Sequence, residues 1–232
     1  MAIVLSLSLT AVASAKSLTA ELRVVGKGNK VVTEQSVKTG AKVSFKASPK
    51  ATCFGAKDSG SGKSVSVKPN TAMGLLARAA QSTGALRPLL VTDAFSFGLG
   101  ICGIGSNVAS GGKSWYLKVN HKGSPVSADT TKVSADDEVL FALASFPYPN
   151  ELAIEAPESA TAGVPFTVRV VSYDEKGKRK PVAGATVTGA AGPTAADGTT
   201  TVSLSAPGRL SATHGKEIPA SAAVCIAGAC PS

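Results

Sequence analysis

Apolar and polar residues alternate along Glu21-Leu-Arg-Val-Val25 and along Val37 to Ala47, the period-two pattern of half-buried strands. The period changes at Asn70-Thr-Ala-Met-Gly-Leu-Leu-Ala-Arg-Ala-Ala-Gln81. There Met73, Leu76, Ala77 and Ala80 fall on one helical face, with Asn70 or Thr71 as N-cap. Gly84 follows, where a left-handed residue is expected to close the helix. Ser114-Trp-Tyr-Leu-Lys-Val-Asn120 predicts a further strand, a turn is expected at His121-Lys-Gly-Ser, and Glu138-Val-Leu-Phe-Ala-Leu-Ala144 predicts another strand. One helix against a small mixed sheet is an α+β layer arrangement.

The pattern breaks at Phe146-Pro-Tyr-Pro-Asn150, where two prolines bracket a tyrosine and strand signals stop. This divides the chain into 16–146, a short semi-rigid linker at 147–150, and 151–232. Beyond it, Leu152-Ala-Ile-Glu, Pro165 to Tyr173, Ala185 to Thr188, Thr199 to Ser205 and Leu210 to Thr213 read as strands. Turns are expected at Ala162-Gly163, Glu175-Lys-Gly177, Asp197-Gly198 and Pro207-Gly208. Such short strands with regular turns predict an all-β sandwich.

Met1 to Ala15 reads MAIVLSLSLTAVASA, an apolar run ending in the small residues Ala13-Ser-Ala15. That is the form of a secretory signal peptide, with the mature chain expected to start at Lys16. Export bears on the four cysteines. In an oxidising compartment an even number reads as a disulfide framework, for which three pairings exist. The most economical joins Cys53 to Cys102 and Cys225 to Cys230. The spacing of the second pair is not that of a redox C-x-x-C motif.

Charge separates the halves as well. Lys16 to Asn150 holds 17 Lys and Arg against 8 Asp and Glu, whereas Glu151 to Ser232 holds 7 of each. The basic first half predicts attraction to anionic cell-envelope polymers, either wall polymers or phospholipid head groups. Nucleic acid is not expected, because the lysines are spread along strands rather than clustered with stacking aromatics.

Two resemblances add to this reading. The capped helix, Trp115-Tyr-Leu-Lys-Val-Asn120, a turn with Gly123 and then Ser134-Ala-Asp-Asp-Glu138-Val-Leu-Phe141 resemble the family named for its likeness to the transcobalamin C-terminal domain. The resemblance covers about residues 17–146 and implies a β-grasp-like mixed sheet with one helix. In vertebrate relatives this fold helps to enclose cobalamin, so a corrinoid is the ligand it implies. Here His121-Lys122 separates Asn120 from Gly123, and Asp136-Asp137-Glu138 replaces an acidic-glycine-acidic turn. The motif residues are strand and turn formers and transfer no binding site. In the second half, Tyr173-Asp-Glu-Lys-Gly177, Pro181-Val-Ala-Gly-Ala-Thr-Val187 and Asp197-Gly-Thr-Thr-Thr-Val202 resemble bacterial immunoglobulin-like modules of secreted and surface proteins, over about 151–226. Such modules act as spacers or adhesive units.

Catalytic signatures fail. Ser59-Gly-Ser-Gly-Lys-Ser64 echoes a phosphate-binding loop, but Lys57 stands where its first glycine is required. His121 and His214, beside turn glycines, are expected to be solvated loop residues without orienting carboxylates. Asp136-Asp137-Glu138 lacks the spread of a calcium loop and reads as a turn. The expectation is therefore a secreted or surface-associated, non-enzymatic binding protein of a bacterium, without cofactor or metal, whose partner is an anionic envelope polymer or a small molecule. Candidate ligand contacts are Phe95, Phe97, Gly98 and Gly100, in a glycine-rich segment read as a loop tied by Cys102 and open to close approach of a partner. The alternative is a corrinoid-binding protein.

Overall fold

The computed structural model describes residues 17–231; the expected signal segment and Lys16 lie outside the described residues. The fold is β-rich with one α-helix. Its first strands are β1 (Thr19–Val25), β2 (Val31–Lys38), β3 (Val43–Lys46) and β4 (Ser64–Val67), followed by helix α1 (Ala72–Ser82). Then come β5 (Leu89–Thr92), β6 (Gly100–Ile104), β7 (Asn107–Val108), β8 (Lys113–Val119), β9 (Lys122–Gly123) and β10 (Glu138–Ser145). A five-stranded sheet has the order β2-β1-β10-β8-β9, with β1 and β10 parallel and the other neighbours antiparallel. The smaller sheets β3-β4 and β5-β6-β7 complete this half.

Helix α1 begins where expected. Thr71 is its cap, the hydroxyl accepting from the Gly74 N–H at 3.1 Å. The single apolar face is an underestimate: Ala72 to Ala77, Ala79 and Ala80 are all buried, leaving Arg78 on the outside. Small side chains on the second face admit the Lys68–Pro69 backbone so closely that a Cβ on Gly74 would meet the Lys68 carbonyl oxygen at 2.0 Å. Gly84 does not close the helix in a left-handed conformation. Thr83 takes the C-cap, its N–H bonded to the Ala79 carbonyl, and Gly84 starts a 3₁₀ turn.

The predicted strand across Val37 to Ala47 is two strands. The chain leaves β2 at Thr39, whose N–H and hydroxyl both bond to the Leu18 carbonyl, and re-enters at Val43. The turn after β8 also moves by one residue. Asn120 and His121 have φ of 48° and 66° and form a two-residue hairpin loop.

In the second half, β11 (Glu151–Glu155), β13 (Phe166–Tyr173), β14 (Arg179–Pro181) and β16 (Thr199–Val202) make one four-stranded sheet. The strands β12 (Ser159–Ala160), β15 (Thr186–Val187), β17 (Gly208–Thr213) and β18 (Ala220–Ile226) make another. Leu152, Val168, Val170 and Val202 of the first pack with Leu210, Ala212, Ala220 and Val224 of the second in one apolar cluster. Strand β18, ASAAVCI, was not anticipated: alanine and serine carry no strand signal, and its pairing with β17 supplies what propensity does not.

Both halves hold a disulfide, Cys53–Cys102 and Cys225–Cys230, the economical pairing. No described helix is long and apolar enough to cross a membrane.

Candidate functional site

Strand β8 carries the site, and its alternation explains why. Trp115 and Leu117 point into the helix-side core, whereas Tyr116 and Lys118 point to the opposite face, toward the second half. Beside β8 opens a cleft of about 1090 Å³. Its walls come from Cys53 and Phe54, from the segment Phe95 to Ile101, from Ser124 to Ala128, and from Tyr148 and Glu175. The chain has only one Trp, three Tyr and seven Phe. Seven of these eleven (Phe54, Phe95, Phe97, Trp115, Tyr116, Phe141 and Tyr148) line this one cleft.

The aromatics are ordered by one another. Phe95 and Phe97 stack at 4.9 Å, and Phe54 meets Phe95 edge-on at 5.1 Å. Across the cleft Tyr116 stacks on Tyr148 at 4.0 Å. The outer rings are open: Phe97 is 72% exposed and Phe54 49%. These two rings form an exposed aromatic rim in an aromatic-poor protein.

Phe95, Phe97 and Gly100 thus lie in this cleft, and Gly98 adjoins it. The segment is not a free loop, since Gly100 to Ile104 is strand β6. The space its glycines leave is filled from within. A Cβ on Gly98, whose φ is 138°, would meet Ser127 Oγ at 2.1 Å, and one on Gly100 would meet Phe54 and Phe95 at 2.8 and 3.1 Å. Those glycines serve to bring the aromatic wall close. Sequence reasoning missed Phe54, Trp115, Tyr116, Tyr148 and Glu175. For Trp115 and Tyr116 the signal was present, two adjacent aromatics placing a ring on each face of one strand.

A second group of residues lies where the halves meet. Glu151 is 2% exposed and Lys118 is 1% exposed. The Glu151 carboxylate takes the guanidinium of Arg23 and lies 3.1 Å from Lys118 Nζ. Lys118 also donates to the carbonyls of Tyr173 and Asp174, at 3.3 and 3.1 Å. Burial alone would raise the Glu151 pKa, but the closeness of His121 and the charges of Arg23 and Lys118 outweigh it and hold it at about 2. Burial lowers the Lys118 pKa, and it raises that of the Tyr116 hydroxyl, with Glu175 and Glu151 adding to the rise.

His121 is not a free loop residue, and His214, though exposed in its loop as expected, has a carboxylate neighbour. His121 is largely covered, stacks on Tyr173 at 3.8 Å, and lies 3.3 Å from both Glu138 and Glu151. The hairpin loop folds it back against the second half, a long-range contact that turn chemistry cannot reveal. His214 Nδ1 lies 2.8 Å from Glu217 Oε2, while the other oxygen of Glu217 accepts from Ser172 at 2.5 Å. Ser172 is fully buried and faces the carboxylate rather than the imidazole, so these three side chains do not align as nucleophile, base and orienting acid. Asp136-Asp137-Glu138 is a turn, with Asp137 accepting from Asn120 and from the Ser134 N–H. No cluster of potential metal ligands occurs among the described residues.

Comparison with known protein families and with curated proteins finds no match to this chain.

Proposed function

We propose that this chain is an exported, non-enzymatic binding protein that holds its ligand in the aromatic cleft along β8. In this reading residues 16–146 form an α+β domain of the transcobalamin C-terminal type, and 151–232 form an immunoglobulin-like sandwich that presents it, beyond a linker at 147–150. The sheet order β2-β1-β10-β8-β9, with its central parallel pair and single packed helix, supports the β-grasp-like part. The two facing four-stranded sheets around one apolar cluster support the sandwich. Two disulfides fit an oxidising compartment.

The observation that carries the reading is the gathering of seven of eleven aromatics around one open cleft. Basic charge then serves to retain the protein near anionic envelope polymers, an attraction that weakens with salt.

Trp115 is the sole tryptophan and lies in the cleft, so its fluorescence reports on the site alone. Titration with anilinonaphthalene sulfonate is expected to quench it saturably. Phe97→Ser, which removes an exposed ring, is expected to weaken that binding about tenfold. An unchanged Trp115 signal at saturating probe would sink the reading. Cyanocobalamin tests the corrinoid alternative on the same protein. No rise in Tm is expected, and a clear rise would make corrinoid the ligand.

A further inference from the structure

We propose that the ligand is an extended peptide, which adds as a strand to the unpaired outer edge of β8. The inference rests on the binding reading above and names the class of ligand.

Strand β8 is paired with β10 along its whole length, Lys113 to Val119. On its other side β9 covers only Lys118 and Val119, and one more bond runs from the Ser124 N–H to the Leu117 carbonyl. The next residue is Pro125, which has no N–H to continue the ladder. There the chain departs into the turn at Ser127 to Thr131, whose Ala128 and Thr131 carbonyls accept from the first N–H groups of α1. From Lys113 to Tyr116, about 13 Å at 3.3 Å per residue, the outer side of β8 pairs with no strand, although β6 runs near it.

Which groups face outward follows from the pairing. The Leu117 carbonyl faces β9, so Trp115 and Lys113, two and four residues back, turn their backbone groups the same way. Ser114 and Tyr116 turn theirs toward β10. The Lys113 N–H is taken by the Ser110 carbonyl at 3.2 Å. The N–H and C=O of Trp115 bond to no described residue outside this sheet, and they face the side on which β8 has no partner strand. Proteins usually shield such an edge. This one runs beside the aromatic cleft.

A strand laid here sends alternate side chains to opposite faces. One row meets Phe95, Phe97 and Val126; the other meets Tyr148 and Glu175. Both rows favour apolar side chains, and Glu175 disfavours an acid in its own. Charge fixes the flanks. Lys113 is the one charged residue on the unpaired edge, and residues 17–150 carry 16 Lys and Arg against 8 Asp and Glu. The occupant is therefore an extended peptide with apolar residues at its centre and acidic ends.

The test uses the full chain and a fluorescein-labelled peptide, DEVFVYVDE, read by anisotropy. Two further peptides carry N-methyl groups on one or the other alternate set of central amides. Strand addition requires only the amides that face β8, so one set is expected to weaken binding at least about tenfold and the other little. Lys113→Glu is expected to weaken the unmodified peptide as well. Equal effects of the two sets, or no peptide binding where anilinonaphthalene sulfonate still quenches Trp115, would overturn the inference and leave the cleft as a small-molecule site. Failure of both probes would overturn the binding reading with it.

Discussion

Glu151 is a single carboxylate on which two cations depend. Arg23 and Lys118 approach it from the first half, and His121 lies over it. Removing one partner of a buried ion cluster leaves charge uncompensated, at a cost of about 3–5 kcal/mol. Glu151→Gln is therefore expected to lower stability by that order in urea denaturation at neutral pH; a loss below about 1 kcal/mol would show the cluster to be weakly coupled. The sign of the pH dependence follows from the same group. Its folded-state pKa of about 2 lies below the ordinary 4.5, so its contribution is complete above about pH 4.5 and is lost as pH falls toward 2. The wild-type Tm should fall across that window, and that of Glu151→Gln should fall less.

The strands and helix differ in how much they rely on neighbours. Helix α1 has its own start signal in Thr71, and its interior is mostly Ala and Leu. Thr71→Ala is expected to cost about 1 kcal/mol, read as a shift in denaturation midpoint with unchanged slope. The Thr71 hydroxyl also donates to the Lys68 carbonyl at 2.9 Å, so both contacts vanish together. By contrast β18 has no such local signal, and its position is set by β17 and by the Leu210 and Val224 contacts. The outer edge of β8 is an element-scale consequence of one residue, because Pro125 ends the ladder that β9 begins.

The meeting of the two halves is more than a tether. Val25, Tyr116, Leu140 and Ala142 pack with Ile218, and Tyr148 from the proline-bracketed segment packs against them. Asn29 donates to the Lys216 and Glu217 carbonyls, and Arg209 reaches the Glu34 carbonyl. With the Glu151 cluster in the same place, the described chain is expected to unfold in one calorimetric transition. Two resolved transitions would mean that the junction does not couple the halves. The cleft depends on the same junction, since Tyr148 and Glu175 form one of its walls.

Local pattern was enough to indicate a β-rich chain with a helix capped at Asn70 or Thr71, a strand at Trp115 and the pairing of the cysteines. Alternation, capping chemistry and sequence separation are short-range properties, written into consecutive residues. That Gly100–Ile104 forms strand β6 and that 220–226 forms β18 were not legible because glycine, alanine and serine carry no strand signal, and the break at Thr39 was not legible because it rests on a contact with Leu18 on another strand's approach. The same holds for the site. Phe95 and Phe97 stand out in sequence, but that Phe54, Trp115 and Tyr148 join them is decided by the crossing of β6, β8 and the segment after β10. His121 and Lys118 read as ordinary turn and strand residues until Glu151, which is remote in sequence, is folded against them. Sequence by itself determined which side chains each face of a strand presents; only the tertiary structure decided which faces meet, because burial and charge pairing act between residues whose separation along the chain carries no signal.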